Sequence, residues 1–201
     1  MSSITIRPAT QDDGPRMLEI FFSAFSSSPL NERCFPPSSP DVQAWQENLI
    51  QRSIEDKDDN YMIVAEQDSV ILGWARWARR EQPLSGKQIK SSSFPASGNQ
   101  ETARHFFQAN NDAAIKYIAG EKHWFLSTIA VAKEGQRRGV GSALMKFGVE
   151  RADAEGWMSY LNSSQEGKGL YEKFGFKVSG TSEFPELGMV QYHMRREAVK
   201  S

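Results

Sequence analysis

Two glycines two residues apart, set between a strand-like run and a helix-like run, constrain this 201-residue chain more than any other feature. Phe125-Leu126-Ser127-Thr128-Ile129-Ala130-Val131 reads as a strand, Gln136-Arg137-Arg138-Gly139-Val140-Gly141 as a turn, and Ser142 to Glu155 as a helix. Without Cβ atoms at Gly139 and Gly141 the backbone can approach an anion closely. The N-terminus of the following helix directs unbonded N–H groups at it, and Arg137 and Arg138 add positive charge. The stretch therefore predicts either a pyrophosphate cradle, made by Gln136, Arg137, Arg138, Gly139, Val140, Gly141 and Ser142, or an ordinary strand-to-helix turn with solvated arginines. Other phosphate motifs do not fit: a dinucleotide fingerprint needs Gly or Ala where Leu144 stands, and Gly167-Lys168-Gly169 lacks the hydroxyl residue of a nucleotide-binding loop.

Downstream, Trp157 to Asn162 reads as a second strand, Ser164 as a helix cap, and Gly167 to Phe174 as a short helix closed by Gly175. The order of strand, Gln-Arg-Arg-Gly-Val-Gly, amphipathic helix, strand and Leu170-Tyr171-Glu172-Lys173-Phe174-Gly175-Phe176 resembles the GNAT superfamily of acetyl-coenzyme A-dependent N-acetyltransferases. The resemblance is strongest over residues 123–180. It extends more loosely to Ile4–Thr10 and Gln11-Asp12-Asp13, which look like the family's first strand and helix start. It implies an α/β fold, a mixed, mostly antiparallel sheet of about seven strands flanked by helices, in one domain over residues 1–201. Residues 81–122 are then an insertion between the third and fourth strands.

The same resemblance implies site roles. The pantetheine arm of acetyl-coenzyme A would lie between splayed fourth and fifth strands, along the backbone of Ile129, Ala130 and Val131, with an N–H such as that of Ile129 holding the acetyl oxygen. Ser164 stands where the family often has Asn, and its shorter side chain weakens any reach to the pantetheine. Tyr171 would return a proton to the departing thiolate, a task suited to a phenol with an ordinary pKa near 10. The plainer alternative for Tyr171 is an aromatic packed on the last helix. The reaction implied is acetyl transfer from acetyl-coenzyme A to a primary amine of a small molecule or peptide, by direct attack in a ternary complex. A non-catalytic acyl-coenzyme A binding module is the alternative. An amine acceptor must lose a proton, and Phe125 occupies the place of the glutamate that many relatives use. Glu66, His123, Tyr192 and His193 stay open as bases.

Composition excludes several classes. A net charge of −1 gives no basic field for nucleic acid, and one cysteine, Cys34, permits neither an intrachain disulfide nor a cysteine metal cluster. The three histidines have no metal spacing, so no metal is expected. There is no apolar leader and no run of about 18–20 apolar residues, which favours a cytoplasmic protein without a membrane partner. Oligomeric state is not encoded legibly.

The rest of the chain supplies the frame. Pro15–Phe25 and Asp41–Ile54 have helical spacing, and Ser26–Pro40, with Pro29, Pro36 and Pro37, is expected to be a loop. Tyr61–Glu66 and Val70–Trp77 form a hairpin, after which Arg76, Arg79 and Arg80 read as a solvated basic strand end. Ser85–Gln100 is expected to be a mobile loop and Thr102–Ala119 an added helix. Phe176–Gly180 and Met189–Met194 close the sheet. Segments 26–40 and 81–122 are the parts expected to set acceptor choice.

Overall fold

The computed structural model describes residues 3–199. Seven strands form one sheet in the order β1-β2-β3-β4-β5-β7-β6. They are β1 (Thr5–Pro8), β2 (Asn60–Gln67), β3 (Val70–Arg80), β4 (His123–Val131), β5 (Met158–Ser163), β6 (Lys177–Phe184) and β7 (Met189–Arg196). All neighbours run antiparallel except β4 and β5, so the mixed, mostly antiparallel sheet matches the expectation. The helices are α1 (Gly14–Ala24), α2 (Pro29–Cys34), α3 (Pro40–Glu55), α4 (Gln100–Ile118), α5 (Val140–Glu155) and α6 (Lys168–Lys173).

The two sheet faces bury different helices. On one, Val140, Leu144, Met145 and Val149 of α5 meet Ile63, Trp77, Trp124 and Leu161. On the other, Met17 and Ile20 of α1 and Ile50 and Ile54 of α3 meet Met62, Val64 and Trp74. The close approach of α5 depends on Gly148, where a Cβ would sit 2.2 Å from the Trp77 ring. Trp77 cannot yield, being fully buried with its indole N–H donated to the Leu144 carbonyl at 3.2 Å. Gly148→Ala is therefore expected to cost about 1–3 kcal/mol through overpacking. The check is a lowered urea midpoint at unchanged slope.

At the N-terminus Arg7 bonds both carboxyl oxygens of Asp13, at 2.7 and 2.9 Å, while the Thr10 N–H donates to the same carboxyl at 2.7 Å. The Arg7 hydrogen bond is the main reason that Asp13 is held down to about 2, from an ordinary 3.8. A depressed acid stabilises the fold fully above its unfolded pKa, and that contribution is lost as pH falls through the folded one. Asp13→Asn should thus remove about 1–2 kcal/mol at pH 7, allowing for the 34% exposure of Arg7, and flatten the stability decline between pH 3.8 and about 2. Equal pH–stability curves for the two proteins would reject this.

Three expectations need correction. The proline-rich segment 26–40 contains helix α2, because Pro29 sits in its first turn, where a missing N–H breaks no hydrogen bond. Segment 85–100 contains a 3₁₀ turn, Ser91–Ser93, and is fixed by packing: Phe94 is buried, stacks on Phe107 at 5.3 Å and meets Phe35 at 6.1 Å. The added helix is α4, which packs over the far end of the sheet through Phe106 against Phe184 at 4.8 Å and Ile118 beside Met158 and Tyr160. β6 runs on to Phe184, beyond the expected end at Gly180.

Candidate active site

The parallel pair β4–β5 is joined only from His123↔Met158 to Leu126↔Leu161. Beyond it β5 continues along β7 (Asn162↔His193, Ser163↔Tyr192), while β4 continues along β3, so the two strands part. The parting begins at a bulge. Leu126 opposes Trp77 and Thr128 opposes Arg76, which leaves Ser127 extra, its hydroxyl donating to the Arg76 carbonyl at 3.2 Å. A bulge re-aims a strand and ends pairing on one side.

Register then decides which backbone groups face the gap. The Ala132 N–H donates to the Leu72 carbonyl at 2.9 Å, next to the pairs Gly73↔Val131, Trp74↔Ala130 and Ala75↔Ile129. Because hydrogen-bonded and non-hydrogen-bonded pairs alternate along an antiparallel ladder, Ile129 and Val131 turn their N–H and C=O away from β3, towards the gap. Ala130 differs from the sequence-based grouping: its backbone is engaged with Trp74, and its buried side chain packs among the α1–α3 cluster.

At the open end of β4 the glycine turn leads into α5. Arg137 and Gly139 both adopt left-handed conformations, with φ of 59° and 88°. Among the described residues, the N–H groups of residues 137–142 have no acceptor; the ladder of α5 starts with Ala143 bonding the Gly139 carbonyl at 2.9 Å. No side chain caps this helix. Successive N–H groups in such a turn at a helix start form an anion-binding concavity. Gln136 contributes less, its N–H being directed to the Lys133 carbonyl at 3.3 Å. Arg138 is also committed, to the Gln67 side chain at 2.6 Å and the Glu134 carbonyl at 3.1 Å, whereas Arg137 is exposed. A Cβ at Gly141 would point between Leu170 of α6 (3.2 Å) and Val131 (3.9 Å), the mouth of the gap.

The gap opens into a cavity of about 720 Å³ lined on one side by Leu126, Ser127, Thr128, Ile129, Asn162, Ser164 and Tyr171. Phe21, Phe25, Trp45, Phe106 and Phe107, with Leu30, give the other side an apolar, largely aromatic wall. Ser164 accepts the Gly167 N–H at 3.3 Å in the turn before α6, but it is not the helix cap expected from sequence, since α6 starts after Gly167 with no side-chain cap. Tyr171 is 7% exposed, its ring edge-on to Phe176 at 6.3 Å. Its hydroxyl has no hydrogen-bond partner among the described residues, and burial pushes its pKa up to about 12. It therefore combines packing with a protonated hydroxyl at the gap.

None of the four bases considered from sequence lines this cavity. Glu66 pairs with Arg7 at 2.8 Å on the β1 side of the sheet. His123 is buried against the Glu121 carbonyl, at 2.8 Å. His193 is held between Asn162 and Ser182 at 2.7 and 2.8 Å, and burial lowers its pKa. The Tyr192 hydroxyl donates to Gln165 at 2.5 Å. The carboxylate in the lining is Glu166, two residues after Ser164; that proximity was the one signal for it in the sequence. Of the two segments expected to set acceptor choice, residues 27–31 and Phe35 line the cavity, as do Phe106 and Phe107, whereas Ser85–Gly98 does not and instead supports Phe107 from behind.

A parallel pair that splits beside an uncapped helix start is the arrangement that the resemblance to acetyltransferases implies, and the sequence profile of the acetyltransferase (GNAT) family matches residues 20–176. The chain belongs to the GNAT family of acetyltransferases. Among solved structures, it is similar to a histone acetyltransferase HPA2 and related acetyltransferase from Corynebacterium glutamicum, at 26% identity and TM-score 0.66, covering 100% of this chain and 99% of that one. A polyamine N-acetyltransferase of Drosophila melanogaster that forms N-acetylagmatine aligns at TM-score 0.74 and 13% identity, over 97% of this chain and 100% of that one. PaiA N-acetyltransferase from Thermoplasma acidophilum, in complex with coenzyme A, aligns at TM-score 0.60 and 14% identity, over 97% and 99%. Among the described residues no helix is long and apolar enough to cross a membrane, and no group of His, Cys, Asp or Glu could hold a metal ion.

Proposed function

We propose that the protein transfers the acetyl group of acetyl-coenzyme A to a primary amine by direct attack in a ternary complex. The observation that carries this reading is the gap: outward-turned backbone groups of Ile129 and Val131 lead from unbonded N–H groups at residues 137–142 to the Tyr171 hydroxyl. The unbonded N–H groups suit the pyrophosphate, with Arg137 free to add charge and Arg138 serving chiefly to brace the turn on Gln67. The Ile129 N–H suits an acyl oxygen on which negative charge develops. Acetyl-coenzyme A supplies the activated thioester. Tyr171 Oη gives its proton to the leaving sulfur, for which a group with a pKa of about 12 remains protonated throughout the neutral range. Glu166 replaces the four bases considered from sequence as the group in the lining able to take a proton from the amine, directly or through water.

The test is thiol release from acetyl-coenzyme A in the presence of a panel of primary amines, with the products weighed by mass spectrometry. Amine-dependent thiol release with a 42-dalton gain on the amine, the mass of an acetyl replacing a hydrogen, is the expected result. Tight coenzyme A binding without amine-dependent release would instead make the protein an acyl-coenzyme A binding module.

A further inference from the structure

Among the described residues that line the cavity, the ionisable ones are Arg76, Glu166 and Tyr171. Arg76 is the cation. It lies on β3 opposite Thr128, one residue along β4 from Ile129, on the same face as Trp74 and α3. The sequence groups it with Arg79 and Arg80, yet the three differ in the fold. Arg79 is met by Glu81 and, at 3.0 Å, by Glu155. Arg80 donates to Asn60 at 3.2 Å and to the Arg79 carbonyl at 3.2 Å. Arg76 has a single long hydrogen bond, 3.3 Å, to the same Asn60 oxygen that Arg80 uses. Its Nε is buried without an acceptor, and among the described residues no carboxylate lies at ion-pair distance from it.

A guanidinium offers five N–H donors, and a partly buried one supplied with a single weak acceptor is under-satisfied. Burial and the nearby Arg80 both work against its charge, and Asp56, already bonded to Asn60 at 2.5 Å, offsets them only in part. A purely structural arginine would spend its donors on the fold, as Arg80 does. Arg76 instead lines the cavity with most of its donors unused.

We infer that Arg76 anchors a carboxylate of the acceptor, so that the amine acetylated belongs to an amino acid or a similar amino carboxylate. This rests on the N-acetyltransferase reading above. The planar fork of a guanidinium matches a carboxylate, and the wall formed by Phe21, Phe25, Trp45, Phe106 and Phe107 suits an apolar side chain on the same molecule. A polyamine, by contrast, would bring further positive charge to a cavity that already holds Arg76 and offers Glu166 as its carboxylate.

The experiment compares phenylalanine, leucine and methionine with their carboxamides and their decarboxylated amines as acceptors for the wild-type protein. The carboxylates should be preferred in kcat/KM by roughly 10–100-fold, the effect being chiefly in KM, as for the loss of one charge-assisted hydrogen-bonded pair. Arg76→Gln should collapse that ratio towards one, and Arg76→Lys should restore part of it. Calorimetric titration of the same amino acids into protein saturated with coenzyme A gives a readout independent of turnover: binding by the wild type and loss of it in R76Q are expected. Equal rates for an amino acid and its decarboxylated partner overturn the inference, as does a carboxylate preference that survives R76Q. If no amine is acetylated, the transferase reading fails, while the titration still decides the anchor. Should R76Q unfold, the wild-type comparison decides alone.

Discussion

Gly141→Glu should weaken coenzyme A binding by roughly 10³-fold while the protein stays folded. A side chain at this position leaves the helix towards the mouth of the β4–β5 gap, between Leu170 and Val131, and so enters the space assigned to the ligand. It also brings a negative charge next to a pyrophosphate. At about 4 Å and an effective dielectric of about 20, one such like-charge contact costs about 4 kcal/mol, or roughly three decades of affinity. The fold should tolerate the change for two reasons. The close contact, 3.2 Å, is with the flexible end of the Leu170 side chain, and glycine inside a helix is the poorer helix former. Isothermal titration with coenzyme A, beside a thermal melt of the same sample, makes the measurement. Unchanged affinity in a well-folded variant would sink the cradle assignment.

Tyr171→Phe should lower turnover by roughly 10²–10⁴-fold and leave coenzyme A affinity within a few-fold, as expected for loss of a positioned acid. The substitution removes one oxygen from a buried site where it has no partner among the described residues, so it strands no polar group and should not destabilise the fold. The pH profile provides a second readout. Burial raises the Tyr171 pKa to about 12; an acid with a raised pKa stays competent below that value, so no loss of kcat assignable to Tyr171 should occur between pH 7 and 10. Near-normal turnover of the variant in a chemistry-limited assay would leave Tyr171 a packing residue. The dependence on pH also separates the two proton carriers, because a loss of activity on the acid side then belongs to the base or to the amine.

The reach of sequence reasoning can be followed residue by residue. Gly139 and Gly141, the apolar pattern of α5 and the helix carrying Tyr171 were all legible, because each depends on interactions within a few residues. The short helix in segment 26–40 was missed because prolines were read only as breakers; Pro29 in a first turn starts a helix instead. The placing of the candidate bases was hidden for a different reason. Glu66, His123, Tyr192 and His193 carry suitable chemistry, but none lines the cavity: Glu66 and His123 are bonded elsewhere, and Tyr192 and His193 stand behind Gln165 and Asn162 of its lining, which no local pattern reveals.

What the sequence determined by itself is thus the strand–turn–helix that leaves N–H groups unbonded at residues 137–142, the placing of Tyr171 beyond a second strand, and membership of a family with this order of elements. Those properties are set by backbone chemistry and short-range periodicity. The tertiary structure alone decided that β4 parts from β5 at the Ser127 bulge, that Ile129 and Val131 rather than Ala130 face the gap, and that Arg76 enters the cavity while Arg79 and Arg80 remain with acceptors of their own. The physical reason is that the direction of a strand's N–H groups, and of a side chain on it, follows from its register against a partner strand distant in sequence; displacing the register by one residue exchanges the two faces and the two edges.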